Sequence, residues 1–97
     1  MPVPVRFRPE ARAEVAETRR WYDQRQAGVG QAFTADLAKA IHSISERPSQ
    51  FTRVHGDVRR AVLARFPYAV YFRPAETEVI VLAVHGRQDP ARWQRRK

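Results

Sequence analysis

The chain has 97 residues, enough for one hydrophobic core and too few for two, so residues 1–97 are expected to form a single domain. Hydrophobic residues make up 43% of it, which argues against disorder, and the absence of cysteine excludes a disulfide framework or a thiolate metal site. Eighteen Lys+Arg against ten Asp+Glu give a formal net charge of +8, and only Lys39 and Lys97 are lysines. Arginine grips carboxylate and phosphate in a two-pronged fork, so this bias suits an anionic partner, although an arginine-rich solvated surface would look the same. The opening Met1-Pro2-Val3-Pro4-Val5-Arg6 lacks the apolar run of a signal peptide, and no window reaches the roughly 20 apolar residues of a membrane span. A cytoplasmic protein that does not engage membranes is expected.

Val3 to Phe7 alternate, and Pro4 restricts them to a short first strand at an edge. Pro9 suits the first turn of a helix. Glu10 and Glu14 place negative charge near its positive end, and Ala11, Val15, Thr18 and Tyr22 recur at helical spacing towards Gln26. Gly28 can end that helix. From Gly30, the residues Phe33, Leu37, Ala40, Ile41 and Ile44 share a face until Pro48 stops the pattern, so two antiparallel helices should pack as a hairpin.

Residues 49 to 57 lack periodicity and read as a loop. Val58 to Phe66, Tyr68 to Arg73 and Glu78 to Val84 read as three strands whose short connections require antiparallel pairing. Val79 to Val84 are all apolar, so both faces of that strand should be covered. Asp89-Pro90 can open a short terminal helix over Ala91 to Arg96. The order β-α-α-β-β-β-α predicts an α+β fold, with an antiparallel sheet and the helical hairpin on one face.

No phosphate loop or Ser/His/Asp order stands out, and the scattered His42, His55 and His85 do not suggest a metal site; no metal or cofactor is expected. His42 reads as a surface residue and His55 as part of a turn. His85 closes the apolar strand just before Gly86-Arg87, where it could exchange protons while Arg87 holds a phosphate; capping the sheet explains it equally well. Strand alternation places Arg59 and Arg65 on one face and Arg60 on the other, so they cannot form one cluster. A basic groove on the face away from the hairpin, with Arg87 at its end, is the expected binding surface. Tyr22 suits the core. Trp21 lies off the apolar stripe, and Trp93 either anchors the terminal helix or stacks on a base.

Val58-Arg59-Arg60 through Phe66-Pro67-Tyr68, and Val84-His85-Gly86-Arg87 with Asp89-Pro90 and Trp93, resemble the C-terminal half of RelE/ParE toxins. Pro9, Ala11, Glu14, Trp21-Tyr22 and Phe33 are similar to the N-terminal half, so the resemblance spans nearly the whole chain. It implies the toxin of a type II toxin-antitoxin system, silenced by a cognate acidic antitoxin. It leaves two targets open: messenger RNA, cut in the ribosomal A site by RelE-like members, or DNA gyrase, inhibited by ParE-like members. For a ribonuclease it implies catalysis by Arg60 and Arg87, with His85 for acid-base work; the candidates for target or nucleic-acid binding are Arg59 and Arg65, from the strand arginines, together with Arg60, Arg87 and Trp93. Three expected groups are replaced, however. A second basic position is Val62, an arginine position is Ala69 and a tyrosine position is Trp93. An indole cannot pass a proton as a phenol can, and missing cations leave phosphate charge less stabilised. These departures favour gyrase inhibition over RNA cleavage. A third reading, a nucleic-acid-binding regulator, is compatible with the charge but has no recognition motif behind it.

Overall fold

The computed structural model describes residues 2–86. Its elements are β1 (Val5–Phe7), α1 (Pro9–Arg25), α2 (Val29–Glu46), a 3-10 turn (Pro48–Gln50), β2 (Thr52–His55), β3 (Val58–Val62), β4 (Tyr68–Pro74) and β5 (Val79–Gly86). The expected helix over Ala91 to Arg96 lies outside the described residues. The five strands form one sheet in the order β1-β5-β4-β3-β2. The α+β architecture is the expected one, but the sheet is not wholly antiparallel, because β1 runs parallel to β5 with Val5 opposite Val79 and Phe7 opposite Val81.

Proline sets both ends of the hairpin: Pro9 opens α1, and Pro48 follows α2 two residues after Glu46. Gly28 takes a left-handed conformation (φ 89°) at the start of α2, which lets the chain reverse. Two residues later, the Gly30 N–H donates to the Asp23 carboxylate at 2.8 Å and ties the start of α2 to α1. The helices bury Ala11, Phe33, Leu37 and Ile44 against Ala61, Leu63, Val70, Phe72, Val79, Val81 and Val84 of one sheet face. A second cluster on the opposite face contains Val58, Ala69, Tyr71, Ile80, Leu82 and Ala83. β5 is thus buried on both faces, as its apolar run predicts.

Three expectations need correction. Residues 52–55 are a strand, not part of a loop: Thr52 pairs with Arg60 and Arg53 with Arg59. With Val54 as its only aliphatic residue, β2 gains its form from pairing at the sheet edge rather than from its own pattern. β3 stops at Val62 instead of running to Phe66, because buried Asp36 of α2 accepts the N–H groups of Arg65 and Phe66, at 2.9 and 3.1 Å, and shapes a turn. Glu14, expected to serve the helix terminus, is also buried. It accepts the Val84 N–H at 2.9 Å, on the part of β5 beyond the end of its pairing with β1.

Candidate functional site

An irregularity in β5 decides what its C-terminal end presents. Tyr71 lies opposite Ala83 but Phe72 lies opposite Val81, so Leu82 is an extra residue. Leu82 and Ala83 therefore both join the cluster away from the hairpin, and Val84 returns to the hairpin side. Strict alternation from Val79 would turn His85 towards the helices. The bulge turns it to the other face, where it pairs with Ala69 across the strands and stacks on Tyr71 with ring centroids 4.9 Å apart.

Arg60 of β3 lies directly opposite Tyr71 and shares this face. Arg60, Tyr71 and His85 thus form a row across three adjacent strands. His85 is only 3% exposed. Its Nδ1 lies 2.7 Å from the Gly86 carbonyl, which can only accept, so Nδ1 carries the proton; Nε2 is buried without a hydrogen-bond partner. Beside this row, exposed Val62 pairs with buried Ala69. The two positions at which the resemblance expects cations are therefore neighbours, and both are uncharged.

The remaining sequence-selected residues are dispersed. Arg59 points to the hairpin side, where its guanidinium donates to the Ser49 and Phe51 carbonyls at 3.1 and 2.6 Å and straps β3 to the segment preceding β2. Arg65 lies in the turn after β3, not on the strand, and is exposed. The structure thus brings Arg60 and His85 onto one face and separates them from Arg59 and Arg65. Arg87 and Trp93 lie outside the described residues.

The Phe66-Pro67-Tyr68 segment seats two rings on the hairpin: Phe66 and Tyr68 lie 5.5 and 5.3 Å from Phe33, and 5.1 and 6.2 Å from Tyr22. Burial, and after it the neighbouring Tyr68, raise the Tyr22 phenol above its ordinary pKa. Trp21, off the core stripe, is 46% exposed beneath the Arg25 guanidinium, 3.5 Å from its ring centroid. His42 is exposed beside Glu46, and His55 ends β2. Tyr71, Glu14 and Asp36 are the residues sequence reasoning missed or misassigned at this end of the sheet. Glu14 belongs to the family-like pattern but nothing in that pattern states its role, and the register and the buried hydrogen bonds disclose what all three do.

Among the described residues, no group of three or more His, Asp or Glu side chains could hold a metal ion, and no helix is long and apolar enough to cross a membrane. The profile of the ParE toxin of the type II toxin-antitoxin system parDE matches residues 5–90. The chain belongs to the ParE toxin family. No curated protein matches its sequence. Solved structures share the fold of this ParE-family chain. A chain of the chromosomal ParDE toxin-antitoxin system from P. aeruginosa superposes with a TM-score of 0.77 at 16% identity, over 87% of this chain and 95% of that one. An arginine-to-alanine double mutant of the E. coli toxin RelE in the free state gives 0.70 at 16% identity, over 99% and 95%. A chain of the RelBE2 toxin-antitoxin complex from Mycobacterium tuberculosis gives 0.63 at 19% identity, over 90% and 100%.

Proposed function

We propose that this ParE-family toxin arrests growth by binding and inhibiting DNA gyrase, and that a cognate acidic antitoxin silences it. The observation that carries the choice of target is the state of His85. A general base must reach the 2′-hydroxyl of an incoming RNA, and this imidazole is 3% exposed with its Nδ1 engaged by the Gly86 carbonyl. Val62 and Ala69 supply neither of two cations that the resemblance expects beside it for stabilising a pentacovalent phosphate. The antitoxin reading is supported by the family and by two of the similar structures, which belong to a ParDE toxin-antitoxin system and a RelBE2 toxin-antitoxin complex. The net charge of +8 suits an acidic partner.

RelE-like cleavage of messenger RNA in the ribosomal A site is the second reading. The row of Arg60, Tyr71 and His85 on one face favours it. The two readings part on His85→Ala: a gyrase inhibitor keeps its toxicity if the fold survives, and a ribonuclease loses it. Expression of the chain alone should arrest growth, and co-expression of its antitoxin, sought as an acidic protein encoded beside it, should relieve the arrest. Normal growth at verified high levels of soluble protein would remove the basis of both readings.

A further inference from the structure

Among the described residues, Trp21 and Val62 are the exposed large hydrophobic side chains, and Trp21 lies on α1 off the stripe that packs on the sheet. Its ring is held in place before any partner arrives. The Tyr22 ring meets it edge-on with centroids 4.9 Å apart, and the Arg25 guanidinium, one turn later, lies 3.5 Å from its centroid. An aromatic side chain fixed in this way gives up little conformational freedom when another molecule covers it. Tryptophan, tyrosine and arginine are also the residues that carry most binding energy at protein interfaces.

Beside Trp21 opens a recess of about 210 Å3, lined by Glu17, Thr18, Trp21 and Tyr68. Glu17 and Thr18 belong to the preceding turn of α1, and Tyr68 begins β4. Glu17 is exposed and forms no ion pair among the described residues, whereas Glu10, Asp23 and Glu78 each pair with an arginine. In a chain of net charge +8, a carboxylate left unpaired beside two aromatic rings is matched by a cation from outside. A guanidinium suits it best, because its plane can lie on a ring while its edge donates two N–H groups to the carboxylate. The contact of Arg25 with Trp21 realises the first half of that arrangement within the chain.

We propose that the recess beside Trp21 receives an arginine side chain presented by the surface of gyrase that this toxin binds. The proposal rests on the gyrase reading above and names a contact through which inhibition acts. Charge decides between the candidate occupants. An acidic antitoxin is matched by the basic remainder of the surface, a second copy of a +8 chain is repelled, and a basic side chain on the target finds Glu17. The recess lies on the hairpin side of the molecule, away from the row of Arg60, Tyr71 and His85 on the opposite sheet face, so inhibition through it does not use His85.

The test is binding of the purified chain to gyrase by surface plasmon resonance, alongside inhibition of supercoiling. Trp21→Ala and Glu17→Gln should each weaken binding about tenfold, equivalent to ~1.4 kcal/mol, with inhibition falling in step. Glu17→Arg, which sets a like charge against the incoming guanidinium, should weaken it further. Glu46→Gln removes the same charge from the end of α2 and should bind as the parent does. Glu17 is an exposed residue, so Glu17→Gln keeps the test decisive if Trp21→Ala, which also releases Arg25, loses its fold. Folded variants that bind and inhibit as the parent does would overturn the recess and leave the gyrase reading standing. A parent that neither binds gyrase nor blocks supercoiling would overturn both. If Glu46→Gln weakened binding as much as Glu17→Gln, the effect would belong to net charge and the recess would be refuted. Variants that lose affinity for the antitoxin, or lose self-association of the chain, while binding gyrase normally would assign the recess to those partners and also overturn the proposal.

Discussion

Gly30→Ala tests how closely the helical hairpin is drawn together. A Cβ at this position would lie 2.5 Å from the Arg19 carbonyl oxygen and 2.6 Å from Cγ and Oδ2 of Asp23. The Asp23 side chain can rotate away, but only by giving up the Gly30 N–H it accepts at 2.8 Å; the Arg19 carbonyl is helix backbone and cannot move without α1. Overpacking of this kind costs about 1–3 kcal/mol, and losing the hydrogen bond costs roughly 0.5–1.5 kcal/mol. Replacing glycine inside a helix returns about 0.5–1 kcal/mol. The net loss is about 2 kcal/mol, which lowers Tm by roughly 10 °C in a domain of this size. Urea and thermal unfolding of the parent, Gly30→Ala, Asp23→Ala and the double variant would measure it. In the Asp23→Ala background the second substitution should still cost about 1 kcal/mol, because the Arg19 carbonyl remains in the way. A Gly30→Ala variant as stable as the parent would show that the helices are not in contact there.

Asp36→Ala strands the N–H groups of Arg65 and Phe66 and should lower stability by about 1–2 kcal/mol in urea unfolding, with Asp36→Asn intermediate because it keeps one acceptor; equal stability of parent and Asp36→Ala would refute the turn-forming role. Glu14→Gln should preserve the bond to the Val84 N–H and most of the stability, and Glu14→Ala should lose both, with exchange of the Val84 amide as the direct readout. The Arg6 guanidinium, first by hydrogen bonding, holds the exposed Glu78 carboxyl below its ordinary pKa. A lowered folded-state pKa contributes stability above the unfolded value and loses it as pH falls through the folded one. Glu78→Gln should therefore flatten the acid limb of the stability–pH curve at low salt, and an unchanged limb would show that this pair contributes nothing.

Much of this architecture is legible in the residues. Pro9 and Pro48 bracket the hairpin, the spacing of Phe33, Leu37 and Ile44 marks the buried face of α2, and the run from Val79 to Val84 identifies the central strand. What is not legible arises from register and from contacts distant in sequence. Thr52-Arg53-Val54-His55 becomes a strand only because β3 offers it an edge. The extra residue at Leu82 decides which face His85 occupies, and no periodicity marks it because its neighbours are all apolar. Glu14 and Asp36 resemble ordinary helix-surface charges until β5 and the β3–β4 turn bring backbone N–H groups to them. Arg59 illustrates the converse: its charge suggests a ligand contact, and its guanidinium is engaged by two main-chain carbonyls of its own chain.

The choice of target is tested most directly by assaying the purified chain and its folded His85→Ala variant in parallel against gyrase supercoiling and against ribosomes programmed with message. Gyrase inhibition predicts that both proteins block supercoiling while the message stays intact, because buried His85 is not part of the inhibitory contact. Cuts at the A-site codon by the parent, lost in the His85 variant, with supercoiling unaffected, would contradict it and assign the row of Arg60, Tyr71 and His85 to RNA cleavage.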